Sequence, residues 1–258
     1  LQMNIEETKK ITLSLISTFN KASQVALDLR KVGLKKEIKS DNTPVSNGDI
    51  EVNKILTNKI QEITPNIAIV SEESTNHKTD NNLKNFWLID PIDGTKDYIN
   101  NRDEFTLNAA LIINKKPVIG IITAPAKERV FYSYGLSNSY ELINGQEISL
   151  IDKKKDNSKL TAVCYSDELK PKILEIHNKY KITSYQKMKS SLKFCVIAAG
   201  EYDLYVAEPR ACEWDIAAGH AILEHAGGKI TDFDGNEILY GKHEFKNPSL
   251  IIKNKNIL

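Results

Sequence analysis

Long apolar runs, a strong net charge and paired cysteines are all missing from this sequence. No stretch reaches the ~18 apolar residues that a membrane-spanning helix needs, so no transmembrane segment is expected. The formal net charge of +1 supplies no long-range field for nucleic acid or an anionic membrane, and no nucleic-acid partner is expected. The three cysteines, Cys164, Cys195 and Cys212, are odd in number and lack C-x-x-C spacing. This favours a reduced, cytoplasmic compartment.

Two different patterns of secondary structure divide the chain of 258 residues. Up to about residue 150, the spacing of apolar residues predicts two amphipathic helices followed by mainly antiparallel strands, an α+β half. From Leu160 onward strands and helices alternate, which is typical of a layered α/β half. We therefore predict an α/β protein with one domain at residues 1–150 and a second at 151–258. The 41% hydrophobic fraction is sufficient for the core of such a protein.

Apolar residues at steps of three and four set the bounds of the predicted helices. The first helix is expected from Glu6 to Val32, ended by Gly33. Later helices are expected at Glu168–Tyr180, Ser190–Ala199 and Asp215–Ala226. The small residues that follow Asp215 predict a close approach of another backbone to the last of these helices.

The central feature of the sequence is the stretch 86–95, FWLIDPIDGT. Its apolar run predicts a strand that ends at Asp90, where Pro91 turns the backbone, and Asp93 follows three residues later. Two adjacent carboxylates repel each other unless a proton or a cation lies between them. Oxygen ligands without Cys or His alongside suit a hard cation, and Mg²⁺ fits best if it shares a phosphate. The alternative is an ordinary surface turn, since Asp, Pro and Gly are turn residues.

Three further acidic positions fall where predicted elements begin or end. The strand predicted at 67–70 ends in Ser71-Glu72-Glu73, while Asp49 and Asp215 fall at the starts of two helices. A second strand that ends in acids makes a cation site shared with Asp90 more plausible. Each position also has a simpler interpretation: a solvated loop for Glu72, and helix capping for the two aspartates.

Three motifs together resemble those of one family, the inositol monophosphatase superfamily. They are Trp87–Thr95, Ser71–Glu73 and Trp214–Gly219, which occur in the family's order with coherent spacing. The resemblance runs from about residue 5 to the end. It implies a Mg²⁺-dependent, lithium-sensitive phosphatase with the layered αβαβα sandwich of the inositol monophosphatase and fructose-1,6-bisphosphatase type.

Within that superfamily the chain is most similar to bisphosphate nucleotidases of the CysQ type. The stretches that carry this similarity are Lys39–Val45, Asp93–Ile99 with Glu104–Thr106, and Ser190–Cys195. These enzymes remove the 3′-phosphate from adenosine 3′,5′-bisphosphate, a by-product of sulfate assimilation, and leave AMP. Lys189 departs from the pattern, because the nucleotidases usually have Gly at this position, and this departure bears on the exact substrate.

The resemblance also implies roles for individual residues. It makes Glu72, Asp90, Asp93 and Asp215, with the Ile92 carbonyl, the ligands of two or three Mg²⁺ ions. It makes Glu72 and Thr95, paired with Asp49, the residues that orient the attacking water. The implied substrate contacts are Ile92, Asp93, Gly94, Thr95, Asp97, Ser191, Lys193 and Asp215.

Simpler interpretations and other activities stay open at this point. Lys193 can equally be a solvated side chain, and His220 and His225 are expected to be ordinary helix residues. An inositol monophosphatase, a sugar phosphatase related to fructose-1,6-bisphosphatase and a non-catalytic binding module are the alternative functions. The related phosphatases include monomers and homodimers, and the resemblance leaves room for peripheral association with the inner membrane.

Overall fold

Two long helices open the chain in the computed structural model, which describes residues 1–74, 83–155 and 159–257. Helix α1 spans Ile5–Val32 and ends at Gly33, as predicted, while α2 spans Asn47–Ile63. Between them, strands β1 (Lys36–Ile38) and β2 (Pro44–Ser46) form an antiparallel hairpin. Among the described residues, no helix combines the length and the apolar character that crossing a membrane requires.

A seven-stranded sheet follows, in the order β3-β4-β5-β6-β7-β8-β9. Its strands are β3 (Ala68–Ser71), β4 (Phe86–Asp93), β5 (Thr106–Ile113), β6 (Lys116–Ala124), β7 (Arg129–Ser133), β8 (Ser139–Ile143) and β9 (Gln146–Ser149). Only β3 and β4 pair in parallel, and every other neighbouring pair in this described sheet is antiparallel. A short helix, α3 (Thr95–Ile99), leaves the end of β4.

The second half of the chain builds a five-stranded sheet in the order β11-β10-β12-β14-β13. Its strands are β10 (Thr161–Cys164), β11 (Ser184–Lys187), β12 (Leu204–Ala207), β13 (Lys229–Thr231) and β14 (Leu250–Lys253). The helices that alternate with them are α4 (Pro171–Lys179), α5 (Leu192–Ala198) and α6 (Glu213–His225).

Three apolar clusters hold these elements together as five layers. One cluster joins α1 and α2 to one face of the first sheet, through side chains such as Phe19, Leu56 and Trp87. The largest joins the other face to α5, α6 and the second sheet, and a small one places α4 outside the second sheet. Fully burying such side chains contributes about 1.5–3 kcal/mol each, which accounts for the stability of the layers. The predicted αβαβα sandwich is confirmed.

Several predicted bounds in the second half are wrong. Helix α4 begins at Pro171 rather than Glu168, because Lys170 before the proline is extended, with ψ 152°. Helix α5 begins after Ser190, whose φ of 62° is left-handed and interrupts a helix. Strand β14 was not predicted. The change of sheet falls between Ser149 and Thr161, and the division into domains 1–150 and 151–258 stays a prediction.

Candidate active site

Two parallel strands bring the first acidic residues together. Strands β3 and β4 pair with Ser71 opposite Ile89, so their carboxyl ends meet at one edge of the sheet. The backbone N–H of Glu72 continues the ladder by donating to the Ile89 carbonyl at 3.0 Å. This pairing places Glu72 beside Asp90, which is only 1% exposed.

The prediction that β4 ends at Asp90 is wrong. The strand continues through Pro91 to Asp93, with an irregular register against β5 between Asp90 and Asp93. A proline, which has no N–H to donate, is tolerated in a sheet at such a bulge. The bulge therefore takes the place of the turn predicted at Pro91, and it brings the Asp90 and Asp93 carboxylates to the same end of the strand.

Asp49 is both a helix cap and a neighbour of Thr95. It is the third residue of α2, and its Oδ2 accepts hydrogen bonds from the Ser46 N–H at 2.8 Å and hydroxyl at 2.5 Å. Its other oxygen, Oδ1, accepts from the Thr95 hydroxyl at 2.8 Å. Burial raises the pKa of Asp49. The capping interpretation is thus correct, but it leaves one oxygen for Thr95.

Asp215 was predicted as the N-cap of its helix, and this is wrong. Cys212 is the N-cap of α6, and Asp215 is the third helical residue. Its Oδ2 accepts from the Cys212 N–H at 2.9 Å. The geometry repeats that of Asp49, because a carboxylate at this position reaches back to the free N–H of the cap. The cap fixes the direction of the carboxylate.

Small residues let α6 carry Asp215 close to the sheet. A Cβ on Gly120 of β6 would lie 2.3 Å from the Ala218 carbonyl oxygen, and one on Gly219 would lie 2.3 Å from Cγ of Phe194. Real Cβ atoms do not approach other heavy atoms so closely. The predicted close approach of another backbone is therefore present at Gly120, and the Phe194 side chain packs as closely at Gly219.

One carboxylate oxygen from each of Glu72, Asp90 and Asp215 lies within 4.8 Å of the other two. Burial, followed by the charges of its carboxylate neighbours, raises the pKa of Asp90 well above its ordinary value. Burial also raises the pKa of Glu72, and that of Asp215 to about 6. Among the described residues, Asp90 Oδ1 is buried without a hydrogen-bond partner. An orphaned oxygen among repelling carboxylates fits a bound divalent cation.

Asp93 lies outside this group of mutually close oxygens. Its Oδ2 accepts from the Ser191 N–H at 2.7 Å, which ties β4 to the start of α5. Burial raises the pKa of Asp93 to about 6, while the Lys193 ammonium opposes the shift. The Ile92 carbonyl oxygen lies 3.2 Å from the Thr95 hydroxyl oxygen. Gly94 then turns the chain into α3 with a φ of 84°, a left-handed value that favours glycine.

A cleft of about 500 Å³ opens in front of these residues. Its lining includes Glu72, Asp90, Ile92, Asp93, Gly94, Thr95, Asp97, Ser191, Lys193 and Asp215. The structure therefore brings all the site residues expected from the sequence to one cleft, except Asp49, which reaches it through Thr95. The interpretation of Asp90 and Asp93 as parts of an exposed surface turn is excluded, because Asp90 is buried, Asp93 is half-buried and both belong to strand β4.

Three of the residues predicted to contact substrate have protein partners. Lys193 is 5% exposed, not solvated, and its Nζ donates to the Ser190 carbonyl at 2.8 Å. Burial lowers the pKa of Lys193 to about 8. The Ser191 hydroxyl is 2.6 Å from Asn108 Oδ1, and Asp97 pairs with Arg102 at 3.3 Å.

Four residues near the site were not singled out as site residues. Lys39, from the β1–β2 hairpin, lies 3.8 Å from Glu72 and 3.5 Å from Glu73. Burial raises the pKa of Glu73 to about 7. Arg210 lines the cleft with its guanidinium carbon 4.0 Å from the centre of the Tyr165 ring. Lys39 and Glu73 belong to the sequence motifs described above. No sequence pattern linked Arg210 to Tyr165, which lies 45 positions earlier in the chain.

The two helix histidines are ordinary buried residues, as expected. Nδ1 of His220 lies 2.8 Å from the Tyr240 hydroxyl, and its Nε2 lies 2.7 Å from Glu224. Nδ1 of His225 lies 2.9 Å from the Ser133 hydroxyl. Both side chains serve packing and hydrogen bonding within the structure.

A five-layer αβαβα fold with clustered carboxylates at a sheet edge defines a class, the metal-dependent phosphomonoesterases. The profile of the inositol monophosphatase family matches residues 6–257. The chain belongs to that family, and is a phosphatase of it. The superfamily resemblance seen in the sequence is therefore confirmed.

Individual relatives carry the narrower resemblance. The 3′(2′),5′-bisphosphate nucleotidase CysQ of Buchnera aphidicola subsp. Acyrthosiphon pisum is 37% identical over 205 residues, covering 78% of this chain and 76% of the relative. The protein of that name from Escherichia coli strain K12 is 33% identical over 214 residues, covering 81% and 85%. The crystal structure of CysQ from Bacteroides thetaiotaomicron matches with a TM-score of 0.75 and 26% identity, covering 95% and 97%.

Proposed function

We propose that this chain is a Mg²⁺-dependent nucleotidase that hydrolyses the 3′-phosphate of adenosine 3′,5′-bisphosphate to AMP and phosphate. One observation carries the proposal: a single cleft holds the Glu72, Asp90 and Asp215 carboxylates together with buried Lys193. Carboxylates suit a cation at one phosphate, and an ammonium suits a second anionic group of the substrate. The names of the CysQ relatives support this choice of substrate.

Glu72, Asp90 and Asp215 would hold the metal, with Asp93 and the Ile92 carbonyl completing the ligand set for two or three ions. Four carboxylates with raised pKa values that line one cleft favour this, because a divalent cation relieves their repulsion. When bound, Mg²⁺ would neutralise phosphate charge, lower the pKa of a bound water and stabilise the leaving oxygen. The other steps rest on the protein's own groups.

Thr95 and Glu72 would orient the attacking water. The Thr95 hydroxyl already donates its hydrogen to Asp49 at 2.8 Å, so its oxygen lone pair is directed as an acceptor for a water proton. Glu72 would accept the other proton, because its carboxylate lies in the cluster that would surround the metal-bound water. No covalent intermediate is needed, and water attacks phosphorus in line with the leaving 3′-oxygen.

The remaining contacts would hold the substrate. The N–H groups of Gly94 and Thr95 lie where β4 passes into α3, and they would donate to the phosphate oxygens. Lys193 would contact the nucleotide, and Asp97 would contribute from the edge of the cleft. Ser191 would contribute by holding Asp93 with its N–H, because its hydroxyl is bonded to Asn108. The enzyme would act as a monomer or homodimer in a reduced cytoplasm. The three cysteines, which form no disulfide among themselves, are consistent with a reducing compartment.

Phosphate release in Mg²⁺ from three substrates in parallel tests the proposal. The substrates are adenosine 3′,5′-bisphosphate, inositol 1-phosphate and fructose 1,6-bisphosphate, each with and without millimolar lithium. We expect phosphate release to be much faster from the nucleotide than from the other two substrates, and we expect lithium to abolish this release. Preference for inositol or sugar phosphate would refute the substrate, and no release from any would favour a binding module.

Substitution of Asp90 tests the site itself. Asp90→Asn should abolish release while the far-ultraviolet circular dichroism spectrum stays that of the native protein. Asp152→Asn, at an exposed loop position, is the control and should leave turnover unchanged. Loss of folded structure together with activity in Asp90→Asn would count against the assignment.

A further inference from the structure

Three cationic side chains line one cleft. Lys189, Lys193 and Arg210 all border the cleft that holds the carboxylate cluster. Within the part of the chain that the structure describes, none of the three forms an ion pair with Asp or Glu. Only Lys193 was assigned to the nucleotide above, which leaves Lys189 and Arg210 without a role.

Arg210 is held in place although its side chain is exposed. Its guanidinium carbon lies 4.0 Å from the centre of the Tyr165 ring, which is a stacking distance. Stacking covers the face of a guanidinium and leaves N–H groups at its edge for a planar or forked acceptor. A phosphate offers such an acceptor, and Arg binds it bidentately.

The three positive charges are close enough to affect one another. Burial lowers the pKa of Lys193, and both Arg210 and Lys189 add to this effect, while Asp93 and Glu104 oppose it. Arg210 also lowers the pKa values of Asp93 and Asp215. Once bound metal neutralises the carboxylates that hold it, the repulsion among the cations is offset less, with Glu104 still acting on Lys193. An anion placed between them removes that repulsion.

We infer that Lys189 and Arg210, the latter positioned by Tyr165, bind the phosphate of the substrate that is not hydrolysed, and so select bisphosphates over monophosphates. The inference rests on the proposed function and names the part of the cleft that determines specificity. The scissile phosphate lies at the carboxylate end, and the second phosphate lies between the two cations. Lys189 supplies a point charge, and Arg210 supplies directed hydrogen bonds.

Kinetics with a matched pair of substrates test this inference. Adenosine 3′,5′-bisphosphate and adenosine 3′-monophosphate differ only in the second phosphate. We expect Arg210→Gln and Lys189→Gln each to raise KM for the bisphosphate by about tenfold or more, because a charge-assisted hydrogen bond is lost. Neither should change kcat/KM for the monophosphate by more than about twofold. Lys187→Gln, at an exposed neighbouring position paired with Asp167, is the control.

Tyr165 variants separate positioning from structure. Tyr165→Phe keeps the ring under Arg210 and should retain the preference for the bisphosphate, whereas Tyr165→Leu should lose it with kcat unchanged. Equal losses on both substrates, or no loss on either, would overturn the inference while the proposed function stood. Failure of the wild type to release phosphate from the bisphosphate would overturn the proposed function and the inference with it.

Discussion

The carboxylate cluster should make the metal-free protein less stable than a variant that lacks one of its charges. Asp215 is half-buried, and its pKa is raised from 3.8 to about 6, first by removal from solvent and then by Asp93. Asp215→Asn keeps the shape of the side chain and an oxygen that can accept from the Cys212 N–H. The substitution therefore removes the charge and retains the helix cap.

The magnitude follows from linkage. A carboxyl whose pKa is higher in the folded state destabilises that state whenever it is ionised, so the penalty is full above about pH 6 and disappears below 3.8. At about 1.4 kcal/mol per pH unit, the shift corresponds to about 3 kcal/mol at pH 7.5 and about half of that at pH 5. Asp215→Asn should raise the free energy of unfolding by up to these amounts in EDTA.

Urea unfolding in EDTA at pH 7.5 and pH 5 measures the destabilisation by the Asp215 charge. Repeating it with saturating Mg²⁺ at pH 7.5 measures the stabilisation by the bound ion. In Mg²⁺ the order should reverse, since a ligand that binds only the folded state stabilises the wild type more than a variant with one ligand fewer. Asp152→Asn, at an exposed position, should match the wild type throughout. A variant that is less stable than the wild type in EDTA at both pH values would refute the electrostatic reasoning.

Three other predictions concern the water-orienting pair, the packing of α6 and a buried histidine. Thr95→Val should lower kcat about a hundredfold with little change in melting temperature, whereas Thr95→Ser, which keeps the hydroxyl that bonds Asp49, should stay near wild type in a phosphate-release assay. Gly219→Ala should lower the free energy of unfolding in urea by about 1–3 kcal/mol, because the new Cβ overlaps Phe194. Adding Phe194→Leu should recover part of that loss. If the effects of the two substitutions on the free energy of unfolding were fully additive, the contact would be contradicted. Burial holds the pKa of His225 at about 4, so stability should fall by about 2 kcal/mol as the pH drops from 8 to 5 and the unfolded chain alone takes up the proton. His225→Gln should lack this loss, and an unchanged pH dependence in the variant would contradict it.

The parts of the site that depend on local pattern could be predicted from sequence. Acids at the ends of two neighbouring parallel strands, after Val70 and Ile89, had to meet at one sheet edge once those strands paired. Helices α1 and α2 were predictable because their apolar spacing is regular over many turns. The roles given to individual site residues stay predictions that the experiments above address.

The parts that depend on distant pairing could not be predicted. Strand β14 is four residues long and is defined by its antiparallel pairing with β12 and β13, two strands that lie earlier in the chain. The bulge at Pro91 is visible only against the register of β5. Arg210 and Tyr165 meet because parallel pairing of β10 and β12 brings the loops after these strands together. Local sequence patterns do not reveal contacts between residues that are distant in the chain.

Helix capping and site chemistry were treated as alternatives for Asp49 and Asp215, and the structure shows why both can hold. Each aspartate is the third residue of its helix, and one of its carboxylate oxygens accepts a hydrogen bond from the backbone N–H of the N-cap residue. A carboxylate has two oxygens, so the cap fixes its direction and leaves the other for a neighbour: at Asp49 this neighbour is Thr95. A flexible acidic side chain would lose rotamer entropy on binding an ion or a hydroxyl, whereas a capped one has already lost it. Capping therefore prepares these aspartates for the site.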